Sequence, residues 1–112
     1  MHVSEVQALV YEEYKKNGYL ERWNKAEKVL NETMGAGEIA SLAEIGLFST
    51  EKAESMEALR DKDEKGELGS ELADIIIRVL NFASRKGLDM ERELLRKHER
   101  NMAREHLHGR HI

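Results

Sequence analysis

The chain has 112 residues, no cysteine and a formal net charge of −4 at pH 7. This length suits a single domain, and the acidic balance argues against a nucleic-acid polymer as a partner, because such binders need a basic face. The lack of cysteine excludes disulfides and thiolate metal sites, and it fits a reducing, cytoplasmic compartment. No apolar run approaches the roughly 20 residues of a membrane span, and acidic residues interrupt the N-terminus too early for a secretory signal, so we expect neither.

Strong helix formers dominate the composition, and apolar residues at helical spacing predict the elements in chain order. A first amphipathic helix spans about residues 3–16 and ends near Gly18, because glycine suits the left-handed end of a helix. A shorter helix follows and ends in the sequence MGAG at 34–37. From about 38 to 60 the pattern predicts one long helix, loosened near Gly46.

The second half of the chain predicts a helical hairpin followed by one more helix. DKDEKG at 61–66 is polar and lacks apolar anchors, so we interpret it as a turn. The next helix runs to about Lys86, and Gly87 ends it. Asp89 is a good N-cap for a last helix that reaches about Arg104.

These elements predict an all-α fold, a small antiparallel bundle of four to five helices. We expect one domain over residues 1–112, with a loose tail at about 106–112. The helix after the turn is apolar around most of its circumference over residues 75–83, so it must be covered on more than one side. One short chain does not supply that cover, so we expect a homodimer or a dimer of dimers.

Two acidic pairs flank the predicted turn. Glu51 and Glu54 share one helix face, as do Glu71 and Asp74, because residues three apart lie on the same side of a helix. Both pairs are symmetric about the turn, so an antiparallel hairpin would bring the four carboxylates together. Their repulsion is costly unless a cation neutralises it, and Mg²⁺ prefers oxygen ligands. The alternative is that these carboxylates are merely solvated, as acidic pairs on charged helices commonly are.

The two acidic motifs resemble those of a known enzyme family. EKAE, a gap of 16 residues and ELAD are similar to the ExxE…ExxD signature of MazG-type all-α nucleoside triphosphate pyrophosphohydrolases. The resemblance covers roughly residues 40–109 and extends to a phage and bacterial branch of that family. The further stretches that carry it are EALR at 57–60, ELADIIIRVLNFASRKGLDME at 71–91 and KHERNMAREHLHG at 97–109.

This resemblance implies cleavage of the bond between the α and β phosphates of a (d)NTP, giving a (d)NMP and pyrophosphate. It implies that Glu51, Glu54, Glu71 and Asp74 bind Mg²⁺, with Mn²⁺ as a substitute ion. One carboxylate of the Glu51 and Glu54 pair could accept the proton of the attacking water, so both are candidate catalytic residues. The alternatives are a related phosphoribosyl-ATP pyrophosphohydrolase and a non-catalytic helical dimer with a structural cation site.

A polyanionic substrate also needs cationic side chains from the protein. Lys97 and Asn101 are four residues apart and Arg104 is three further on, so they share a helix face. We predict that these residues bind the β and γ phosphates. Arg78, one turn beyond Asp74, either contacts phosphate or pairs with an acidic neighbour.

Two aromatic residues near the N-terminus are candidates for nucleobase binding. Trp23 is the sole tryptophan, and Tyr19 lies one helical turn before it. Either ring could stack on a base, although a sole tryptophan in a small helical protein also suits the core or an interface.

Overall fold

The computed structural model describes residues 1–60 and 66–104, and the regular structure of these residues is entirely α-helical. The all-α prediction is therefore confirmed for the described part of the chain. Residues 61–65 of the predicted turn and the predicted loose tail at 106–112 lie outside it. The helices in chain order are α1 (Val3–Lys16), α2 (Tyr19–Met34), α3 (Glu38–Gly46), α4 (Phe48–Arg60), α5 (Leu68–Arg85) and α6 (Met90–Met102).

The helix boundaries follow the glycines and the cap that the sequence indicates. Gly18 and Gly35 flank α2 with φ of +83° and +63°, a left-handed conformation that side chains with a Cβ rarely adopt. Asp89 caps α6, because its side chain accepts hydrogen bonds from the backbone N–H of Glu91 and of Arg92 at 3.1 and 3.3 Å.

The prediction of one long helix over 38–60, loosened near Gly46, is confirmed in its extent, and the loosening is a full interruption at Leu47. Around this residue the backbone hydrogen bonds join residues that are three apart, as in a 3₁₀ turn, instead of four apart. Leu47 N donates to Glu44 O, and Thr50 N donates to Leu47 O, both at 3.2 Å. The two segments also pack differently, α3 mainly on α2 and α4 mainly on α5. If α3 and α4 are counted as one interrupted helix, the described residues form five helices.

Helix α5 is the centre of the packing, since α1, α3 and α4 all contact it. Leu80 and Ala83 of α5 are almost fully buried, together with Tyr14 of α1 and Ala40 of α3. Within the described residues, no helix has the length and apolarity needed to cross a bilayer.

A buried ion network ties three helices to α5. The Arg85 side chain, which is 1% exposed, donates from Nε to Glu44 Oε1 at 2.8 Å and from Nη1 to Glu27 Oε2 at 3.1 Å. The second oxygen of Glu44 accepts a hydrogen bond from the Tyr14 hydroxyl at 2.6 Å. Burial and this hydrogen bond raise the pKa of Tyr14, so the phenol stays protonated and remains a donor.

Gln7 joins α1 to the junction of α5 and α6. Its buried amide donates to Ser84 Oγ at 2.9 Å and to the Leu88 carbonyl at 2.8 Å. The amide oxygen accepts from Met90 N at 2.9 Å. Both ends of the side chain are thus satisfied, so Gln7 holds α1 in a fixed position along α5.

We expect Arg85→Met to lower the free energy of unfolding by about 3 to 5 kcal/mol, because it leaves the Glu44 carboxylate buried without its cation. Urea denaturation followed by circular dichroism measures this loss. The matched control is Lys28→Met, which removes a cation from an exposed pair with Glu32 at 4.0 Å and should cost less than about 1 kcal/mol. Equal losses in the two variants would contradict the role of the buried network.

Candidate metal and nucleotide site

Four carboxylates meet between α4 and α5, the pair of helices in most extensive contact. One oxygen from each of Glu51, Glu54, Glu71 and Asp74 lies within 4.8 Å of the others. Glu51 is buried and Glu71 half-buried, whereas Glu54 and Asp74 are exposed. The cluster therefore has a buried side and a side that is open to a ligand.

The buried side of this acidic cluster is only partly neutralised by the protein. Arg78 Nε donates to Glu51 Oε1 at 2.6 Å, so of the two predicted roles of Arg78 the ion pair is the one that the structure contains. The other oxygen of Glu51 and Oε2 of Glu71 are buried without a hydrogen-bond partner among the described residues. Buried carboxylate oxygens normally have a partner, and two orphaned oxygens fit a hard divalent cation.

The neighbouring carboxyl groups raise the pKa of one member of the cluster, Glu71. A hydrogen bond with Glu54 raises the pKa of Glu71 to about 7, with further contributions from desolvation and from the charges of Glu54, Asp74 and Glu51. The neighbouring carboxylates thus make the charged form of Glu71 costly, which is the cost that a bound cation would remove.

A cavity of about 500 Å³ adjoins the acidic cluster and includes Glu51 and Asp74 in its lining. Tyr19 and Trp23 of α2 line the same cavity, and Arg78 of α5 lies there as well. The space thus joins a carboxylate cluster to an aromatic wall. A ligand with a cation-bound anionic end and a flat ring system matches both parts.

The predicted phosphate-binding residues fall into two groups. Arg78 lines the cavity, whereas Lys97, Asn101 and Arg104 do not. Lys97 and Arg104 are exposed, on α6 and just beyond its end, and Oδ1 of Asn101 is buried without a partner among the described residues. Binding of phosphate by these three residues stays a prediction.

Arg22 and Asn81 are among the residues of the cavity lining that were not predicted from the sequence. Arg22 lies beside Trp23 on α2 and adds a second cation. Asn81 lies on α5 seven residues after Asp74, and residues seven apart share one face of a helix. An amide within the otherwise apolar run of α5 was the signal that could have identified Asn81.

Comparisons of the chain with protein-family models, with curated proteins and with solved structures find no match. The functional assignment therefore depends on the geometry of the acidic cluster and of the adjoining cavity.

We expect the stability of the protein without divalent ions to fall as the pH rises from 4.5 to 7. Between the ordinary pKa of Glu71, 4.5, and its folded value of about 7, the native state binds a proton that the unfolded chain has released. The thermal midpoint measured against pH should fall over this window in the wild type and stay flatter in Glu71→Gln.

Mg²⁺ added at pH 7 should release about half a proton per chain from Glu71, measured by calorimetry in buffers of different ionisation enthalpy. A wild-type profile identical to that of Glu71→Gln would contradict this assignment.

Proposed function

We propose that the protein is a Mg²⁺-dependent nucleoside triphosphate pyrophosphohydrolase, which cleaves the α–β phosphate bond of a (d)NTP to give a (d)NMP and pyrophosphate. The observation that carries the proposal is the four-carboxylate cluster, with its two orphaned buried oxygens, opening into a cavity with an aromatic wall. The resemblance of the two acidic motifs to the MazG-type family supports the same activity.

The proposed ligands of Mg²⁺, or of Mn²⁺ in its place, are Glu51, Glu54, Glu71 and Asp74. When bound, the ion would neutralise phosphate oxygens and lower the pKa of a water molecule. Glu54 is the less encumbered of the two candidate bases, because its side chain is exposed while Oε1 of the buried Glu51 already accepts from Arg78. In this proposal Glu54 takes the proton of the attacking water.

The adjoining cavity supplies the rest of the substrate contacts. Trp23 and Tyr19 offer flat rings on which a nucleobase can stack. Arg78 and Arg22 place positive charge at the cavity, where the triphosphate would lie. We propose that Lys97, Asn101 and Arg104 contact the β and γ phosphates once the substrate extends beyond the cavity.

One observation favours a non-catalytic alternative. The Arg78–Glu51 ion pair already neutralises one carboxylate of the acidic cluster, as it would in a purely structural cation site. Such a site would bind Mg²⁺ without hydrolysing nucleotides. The same hydrolysis assay that tests the enzyme therefore also tests this alternative.

We expect the protein to release pyrophosphate, and not orthophosphate, from at least one member of a panel of NTPs and dNTPs in the presence of Mg²⁺. Glu54→Gln and Asp74→Asn should each lower the rate by about 100-fold or more, because each removes a ligand of the ion. The control is Glu57→Gln, an exposed glutamate on the same helix and outside the acidic cluster, which should leave the rate unchanged. Full activity in Glu54→Gln would refute the metal assignment, and no hydrolysis of any nucleotide would favour the structural alternative.

We also propose that the chain forms a homodimer, which could pair further into a dimer of dimers. The radius of gyration is 17.0 Å, larger than the value of about 13 Å for a compact domain of this length. Leu72 and Ile76 of α5 lie on one side of the helix and are 46% and 57% exposed. A second copy packed on this side of α5 would cover them and would supply the shielding that the apolar helix requires.

Light scattering coupled to size exclusion should therefore give twice the chain mass of 12.9 kDa. Ile76→Glu should shift the protein toward the monomer, because it places a charge in the apolar contact. Lys28→Glu, an exposed change on α2, is the control and should keep the dimer. A monomeric wild type, or an Ile76→Glu variant with unchanged mass, would contradict the proposal.

A further inference from the structure

Asn81 is the one side chain of the cavity lining, outside the acidic cluster, that is buried and carries an orphaned polar atom. Its side chain is 7% exposed, and Oδ1 has no hydrogen-bond partner among the described residues. A buried carbonyl without a donor is destabilising, so native structures rarely retain one without a role. Asn81 also lines the cavity, where a bound molecule can supply the missing donor.

The neighbouring buried polar groups of the cavity are already paired. The Tyr14 hydroxyl donates to Glu44 Oε2 at 2.6 Å, and Glu44 Oε1 accepts from Arg85 at 2.8 Å. Each of these groups already has a hydrogen-bond partner within the protein, which Asn81 Oδ1 lacks among the described residues. Away from the acidic cluster, Asn81 Oδ1 is therefore the buried acceptor that is ready for an N–H of the ligand.

The place of Asn81 on α5 suits the far end of a nucleotide. Asp74 and Asn81 are seven residues apart on one helix face, so about 10 Å of helix separates the acidic cluster from the amide. A nucleotide whose phosphates lie at the acidic cluster would extend its sugar and base along this distance. Trp23, on the opposite helix α2, lines the same cavity and can stack on the base.

We propose that Asn81 is a specificity-determining residue, whose Oδ1 accepts a hydrogen bond from an amino or imino N–H on the edge of the nucleobase. The inference rests on the proposed function, because it takes the occupant of the cavity to be a nucleotide. It adds a chemical requirement for the base, which must present an N–H at this position. A base edge without that N–H leaves the buried carbonyl unpaired, so the site should bind such a base less tightly.

The experiment uses nucleosides, without phosphate and without metal, titrated into the full chain. Trp23 is the only tryptophan of the chain, so its fluorescence reports occupation of the cavity. Each nucleoside is compared with a partner that lacks the N–H: adenosine with purine riboside, cytidine with pyrimidin-2-one riboside, and uridine with 3-methyluridine. At least one N–H-bearing member should bind about tenfold more tightly than its partner, the scale of one hydrogen bond.

Variants of Asn81 assign that preference to its carbonyl. Asn81→Leu should abolish the affinity difference within the nucleoside pair, whereas Asn81→Asp should keep it because a carboxylate still accepts a hydrogen bond. The control Asn31→Leu lies outside the cavity lining and should behave as wild type. If circular dichroism shows that Asn81→Leu is unfolded, the wild-type protein provides a second test. In its ¹⁵N spectra the side-chain amide resonances of Asn81 should shift on addition of the N–H-bearing nucleoside and not on addition of its partner.

The outcomes separate this inference from the proposed hydrolysis. Equal affinities within every nucleoside pair, or no nucleoside binding at all, overturn the role of Asn81 even if triphosphates are hydrolysed. A preference that Asn81→Leu removes supports the role of Asn81 even if no triphosphate is hydrolysed, and in that case the proposed reaction fails alone.

Discussion

Repulsion among four carboxylates between α4 and α5 is the constraint on which the rest of the structure depends. Folding brings one oxygen of each to within 4.8 Å of the others, and the Arg78 guanidinium only partly offsets the charge. Such a cluster persists because stabilising interactions elsewhere hold the two helices in place. The buried network around Arg85, which connects α5 to α1, α2 and α3, is the strongest of them.

The sequence predicts the parts of the molecule that depend on local rules. Helical periodicity indicates the all-α fold. Gly18, between α1 and α2, and Asp89, the N-cap of α6, mark helix boundaries that the structure contains. The convergence of Glu51, Glu54, Glu71 and Asp74 also follows from local rules. The spacing within each pair, and the equal distances of the two pairs from the midpoint of the segment between α4 and α5, fix their positions on adjacent helices.

The parts that the sequence does not predict depend on contacts between distant segments. The sequence indicates a loosened helix near Gly46, but a full interruption at Leu47 depends on α3 packing on α2 while α4 packs on α5. Arg85 and Glu44 resemble solvated surface charges, because their pairing requires α3 and α5 to meet in space. The cavity that Asn81 lines likewise depends on how α1 packs on α2 and on α5.

The hydrogen bond from Arg78 to Glu51 has a consequence for ion selectivity. An ion that binds Glu51 through the same oxygen competes with the guanidinium at 2.6 Å for its negative charge. A monovalent ion such as Na⁺ or K⁺ brings no more charge than the arginine it replaces, so this exchange offers it little electrostatic gain. A doubly charged ion gains more from such an exchange, so at this oxygen the arginine would favour divalent over monovalent ions.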